Sequence, residues 1–85
     1  MGYFVYILYS KKLDRYYIGS SCDPVERLRY HNLKLKGWTK RGVPWEIVYT
    51  TEFTDRNTAM VKERFIKNQK SRKFIEKLIS GEYEL

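Results

Sequence analysis

Cysteine and histidine are almost missing from this 85-residue chain, which holds one of each, Cys22 and His31. A single thiol excludes an intrachain disulfide and any multi-cysteine zinc site, and a single imidazole excludes a His-rich metal centre. Long apolar runs are missing too. The longest, Tyr3 to Tyr9, is far too short to span a bilayer. It has no basic leader and no small-residue cleavage site, so the expected setting is a soluble, reducing compartment, the cytoplasm, with no membrane partner. Linkers, repeats and low-complexity segments are absent. A chain of this size buries about 60–65% of its unfolded surface, which leaves room for one core and one domain, residues 1–85.

Acidic residues are scarce as well: ten Asp and Glu stand against seventeen Lys and Arg, a net charge of +7. A small basic domain attracts polyanions, nucleic acid above all, although a basic surface also serves solubility. Distribution favours the first reading. From Arg27 to Arg41 there are six basic residues and no acidic one, and a second basic stretch runs from Arg56 to Lys77. Aromatics make up 16% of the chain and eight of them are Tyr, which joins apolar area to a hydroxyl and suits a polar site.

Phe4-Val5-Tyr6-Ile7-Leu8-Tyr9 is β-branched and aromatic and reads as a buried strand. Ser10 to Asp14 is a polar turn, and Arg15 to Gly19 a second strand, making a hairpin. If an even number of residues closes it, Tyr6 and Tyr17 project from one face. Asp23-Pro24-Val25-Glu26 starts a helix, with Asp23 as cap and Pro24 in the first position, ending near Leu33. Arg27 and His31, four apart, share a face of it. Lys34 to Gly42 reads as an exposed basic loop, and Trp45 to Thr50 as a third strand with Trp45 in the core. Thr54 or Asp55 can cap a helix through Ala59, Glu63, Ile66 and Lys67. A last helix spans Arg72 to Ser80, with Gly81 just past its final turn. The order β-β-α-β-α-α makes an α+β domain, a small three-stranded sheet flanked by helices.

Val5-Tyr6 followed by Tyr17-Ile18-Gly19 resembles the signature of the GIY-YIG nucleases at the right strand spacing. Arg27 with His31 four residues on is similar to that family's helix pattern, and Ala59, Glu63 and Lys67 resemble its second helix. The match covers nearly the whole chain and looks most like the small single-domain bacterial members. Phe4 stands where the signature has its first glycine, and Val5 where it has Ile. For a late polar residue found in some members, Asn68 is the nearest candidate and is not assigned.

What the resemblance implies is metal-dependent hydrolysis of phosphodiester bonds in DNA, with RNA left open, directed by structure at junctions, flaps or damaged sites more than by base sequence. Glu63 would hold one divalent ion, Mg²⁺ or Mn²⁺, which accepts hard oxygen and keeps several waters. Arg27 would grip the phosphate through its planar fork and stabilise charge in the transition state. A tyrosine is a poor base at neutral pH, its ordinary pKa being about 10. Arg27, the metal and a neutral His31 could lower that value. Tyr6 is the favoured base, with Tyr17 positioning water or phosphate, and the two roles can be exchanged. Lys34, Lys36, Lys40, Arg41 and Lys67 are the expected phosphate contacts. Trp38 either stacks on an unpaired base or anchors its loop.

Each residue has an ordinary reading beside this one. Tyr6 and Tyr17 are common packing choices in strands, Arg27 and His31 are usual on a helix surface, Glu63 and Lys67 make an ordinary i,i+4 pair, and Gly19 can simply end a strand. Cys22 reads as a small, half-buried thiol without a base. Coincidence of all these in the family's order favours the enzyme. Two alternatives stay open: a basic nucleic-acid-binding module without catalysis, and a subunit completed by a partner protein.

Overall fold

The β-branched and aromatic N-terminal stretch pairs with the tyrosine-rich stretch after it, as their alternation demands. The structure, a computed structural model, describes residues 2–33 and 37–85. It runs β1 (Tyr3–Ser10), β2 (Arg15–Ser21), α1 (Pro24–Leu33), a 3-10 helix (Trp38–Gly42), β3 (Trp45–Phe53), α2 (Arg56–Gln69) and α3 (Arg72–Ser80). This is the α+β arrangement expected. All pairing is antiparallel in the order β2-β1-β3, which makes β1 central and β2 an edge.

Alternation sorts β1 between two layers. Val5 and Ile7 pack against Ala59 and Ile66 of α2 and Leu78 of α3. Tyr6 and Leu8 face the other way, against Trp45, Tyr17 and Leu28 of α1. Val5, Ile7 and Leu8 are fully buried, so the centre of the sheet supplies much of the apolar burial that holds both layers on. Helix starts follow their caps: Asp23 accepts from the Glu26 amide at 3.1 Å and Asp55 from the Thr58 amide at 2.7 Å. Ser71 caps α3 through the Phe74 amide at 3.1 Å, and Gly81 ends it at φ 85°.

The expected loop from Lys34 to Gly42 needs correction in its second part, which coils into the 3-10 helix with Thr39 buried. The cause is tertiary. The Trp45 indole nitrogen donates to the Thr39 carbonyl at 2.7 Å, and the Ser10 hydroxyl donates to the Gly42 carbonyl at 2.6 Å. A Cβ on Gly42 would sit 2.6 Å from the Trp45 ring, so only glycine lets the segment close over it. Lys40 and Arg41 stay exposed on this helix. Lys34, Lys36 and the side chain of Trp38, all expected contacts for nucleic acid, lie outside the described residues.

Candidate active site

Tyr6 sits on the central strand directly opposite Gly19 on the edge strand. Its ring lies across that glycine: a Cβ there would come within 2.5 Å of the Tyr6 hydroxyl and 2.6 Å of Cζ. Gly19 is therefore a gap in the side-chain layer of the edge strand, and the buried Tyr6 phenol fills it. Tyr17, paired with Leu8, falls on the same face as Tyr6 because four residues close the hairpin between Ser10 and Arg15. His31 packs edge-on against Tyr17, ring centroids 4.6 Å apart, and is itself buried. The ordinary surface reading of this histidine does not hold.

Arg27, exposed one turn into α1, turns its guanidinium toward the Tyr6 hydroxyl, whose pKa it lowers, and also lies over the Tyr30 ring at 5.2 Å. Asn32 ties α1 in place, with Oδ1 accepting from the Trp45 amide at 2.6 Å and Nδ2 donating to the Trp45 carbonyl at 3.1 Å. The arginine thus rests on a helix anchored to the third strand.

Glu63 arrives from the opposite layer. Its carboxylate is turned toward the edge strand, where Oε1 accepts from the Ser20 hydroxyl at 2.6 Å. Oε2 accepts from Lys67 at 2.6 Å, and only 19% of the Glu63 side chain is exposed. Ser20 follows Gly19 and points the other way, so these two residues bring groups from both faces of the sheet to one edge. That carboxylate is close enough to push the Tyr6 pKa upward.

Electrostatics corrects one expectation. Tyr6 is held above the ordinary phenol value, first by burial, which disfavours the phenolate, and further by Tyr17 and Glu63. The Arg27 hydrogen bond lowers it but does not win. The protein alone therefore keeps this hydroxyl protonated. Arg27 is raised chiefly by the same bond to Tyr6.

Glu63 suits a hard divalent ion: a carboxylate oxygen is the right ligand chemistry, and this one already draws a cation, the Lys67 ammonium. Among the described residues no three of His, Cys, Asp and Glu cluster to hold a metal. Water and phosphate oxygen are suitable further ligands for such an ion.

Sequence reasoning passed over Ser20 and Asn32. Strand parity was the available signal for Ser20, since a residue next to Gly19 must face the other layer. Asn68 is exposed on α2 and Cys22 is exposed rather than half-buried. No helix among the described residues is long and apolar enough to cross a membrane.

The model of the GIY-YIG catalytic domain family matches residues 2–77. Among curated proteins, the chain is 46% identical over 52 residues to the structure-specific endonuclease subunit slx1 of Schizosaccharomyces japonicus, covering 55% of this chain and 19% of that one. It is 36% identical over 81 residues to the structure-specific endonuclease subunit SLX1 of Phaeosphaeria nodorum, covering 88% of this chain and 22% of that one. It thus spans about a fifth of the length of these relatives. Both are fungal, so the expected kinship with small bacterial members finds no support. No solved structure gives a match. With Tyr6, Tyr17-Ile18-Gly19, Arg27 and Glu63 gathered along one strand edge and the family pattern running through nearly its whole length, this chain belongs to the GIY-YIG family.

Proposed function

We propose that this chain is a divalent-metal-dependent nuclease that hydrolyses phosphodiester bonds in DNA and selects its target by structure rather than base sequence. The observation that carries this reading is the Arg27 guanidinium on the Tyr6 hydroxyl, placed over Gly19, with the Glu63 carboxylate reaching the same edge from the other layer. A guanidinium, a phenol and a hard carboxylate are the groups a phosphodiester needs for gripping, proton movement and metal binding.

In this reading Arg27 takes the phosphate through its fork, and its charge stabilises the oxygens as they become more negative. Glu63 holds one Mg²⁺ or Mn²⁺, which when bound supplies a Lewis acid and a water of lowered pKa. Tyr6 is the favoured proton acceptor. Its pKa is raised in the protein alone, so the phosphate-bound, metal-loaded site has to bring it down. Tyr17 positions water or phosphate, with His31 fixing the ring of Tyr17 through their edge contact. Lys40, Arg41 and Lys67 contact the backbone of the nucleic acid, whose affinity then falls steeply with salt.

The test is incubation of the purified protein with labelled branched and duplex DNA, with and without Mg²⁺ or Mn²⁺. Metal-dependent cleavage that disappears in Glu63→Ala, Arg27→Ala and Tyr6→Phe, each still folded, supports the reading. Cleavage surviving all three, or none on any substrate, defeats it.

A second reading draws on the names of the relatives, both of which are subunits of structure-specific endonucleases. It makes this chain active only with a partner protein. Cleavage that appears when a co-purifying partner is added, and not before, supports this version.

A further inference from the structure

Both oxygens of Glu63 are already engaged, and by donors of different kinds. Ser20 donates to Oε1 from a strand, at 2.6 Å. Lys67 donates to Oε2 at 2.6 Å from one turn further along α2, with 51% of its side chain in solvent. A hydroxyl occupies one lone-pair direction of its oxygen and can remain while the carboxylate ligates a cation. An ammonium cannot, because it takes the place and the charge that the ion requires. No cluster of three or more His, Cys, Asp and Glu occurs among the described residues to hold the ion without this carboxylate.

We propose that Lys67 is a displaceable counter-cation of Glu63, competing with the divalent ion and yielding the carboxylate when a DNA phosphate takes up its ammonium. This rests on Glu63 being the metal-holding residue of the site proposed above. The released ammonium has a place to go: Lys67 also lines a groove of about 420 Å³ between the hairpin and the α2–α3 junction, together with Arg15, Lys70 and Ser71. Its grip can be lost, since the Lys67 side chain is half in solvent and its ammonium is a point charge on a flexible stem. A lysine ammonium about 5 Å from a bound divalent ion costs that ion up to about tenfold in affinity even in water-like surroundings. Metal and nucleic acid then bind cooperatively because the phosphate removes the competitor.

The experiment measures Mn²⁺ affinity of the whole chain by water-proton relaxation, without DNA, for the wild type, Lys67→Gln, Lys70→Gln and Glu63→Gln. Lys67→Gln is expected to bind Mn²⁺ about three- to tenfold tighter. Lys70→Gln, which removes a neighbouring charge not on the carboxylate, should stay within about twofold. Adding a phosphorothioate duplex that resists cleavage should close the gap between wild type and Lys67→Gln. Equal or weaker Mn²⁺ binding by Lys67→Gln overturns the proposal, and so does an equal gain in Lys70→Gln. If the wild type cleaves DNA with Mn²⁺ in a Glu63-dependent way while Lys67→Gln binds the ion unchanged, only the competition is wrong. Absence of any Glu63-dependent Mn²⁺ binding overturns both this and the metal-holding role of Glu63.

Discussion

Two carboxylates of this chain each hold a cation at 2.6 Å, and they could hardly be more differently built. Asp14, at the hairpin turn, meets Arg72 of α3, 58 residues away. Arg72 also donates to the Asp14 backbone carbonyl at 2.9 Å and to Glu76 at 3.2 Å, and its guanidinium lies over the Tyr16 ring at 5.1 Å. Tyr9 donates to the same Asp14 oxygen at 2.7 Å. Glu63, by contrast, sits recessed near the phenol of Tyr6 with one hydroxyl and one lysine. An arginine fork engaged at every prong fixes geometry, whereas a lysine on a flexible stem is a point charge that can leave. One pair is a fastening of the fold, and the other sits where the proposed chemistry would need a place for positive charge.

The sharpest break of that contrast is Glu63→Gln against Asp14→Asn. The first should lower metal-dependent cleavage by about 10²–10³-fold or more with circular dichroism unchanged. The second should leave cleavage at wild-type level, because Asp14 lies at the far end of the hairpin. Next comes Gly19→Ala, whose methyl would meet the buried Tyr6 phenol. It should cost about 1–3 kcal/mol of stability by urea unfolding and displace the hydroxyl from Arg27, with cleavage falling accordingly. Ser20→Ala should reduce cleavage by about tenfold, as expected for losing one hydrogen bond to a charged group, with Ser20→Thr recovering most of it.

The smallest effect is expected at the fastening, where both charges face solvent. Asp14 lies below the ordinary aspartate value of 3.8, first through Arg72 and then through Tyr9. A lowered folded pKa means stability that is present above the unfolded value and lost as pH falls through the folded one. The melting temperature of Asp14→Asn should therefore lie slightly below wild type near neutrality, and the gap should close on acidification below pH 3.8. Asn tolerates the left-handed backbone at this position, φ 53°, so the comparison isolates the charge. Added salt should narrow the same gap.

Much of this was legible in the residues because it is local. Strand alternation put Tyr6 and Tyr17 on one face on condition of an even closure, and the structure meets it by pairing Ser10, expected in the turn, with Arg15. Asp23 and Gly81 announced helix ends through their own hydrogen-bonding chemistry and φ freedom, and of the two caps open for α2, Thr54 or Asp55, the structure uses Asp55. What escaped is what depends on docking. Ser20 meets Glu63 across 43 residues only because α2 lies on the face opposite α1. The 3-10 helix exists because the Trp45 indole needs an acceptor and finds the Thr39 carbonyl. The raised pKa of Tyr6 reflects how deeply the packed core encloses its ring, which no motif states.

The gap at Gly19 has a consequence for how the molecule can fail. Because Tyr6 and Arg27 belong to one layer and Glu63 to the other, the constellation exists only while both layers grip the same edge strand. Detachment of either helix dismantles it, even if the other half of the molecule keeps its shape. Turnover in mild denaturant is thus a gauge of intactness more sensitive than helix content, and it should decline before ellipticity does.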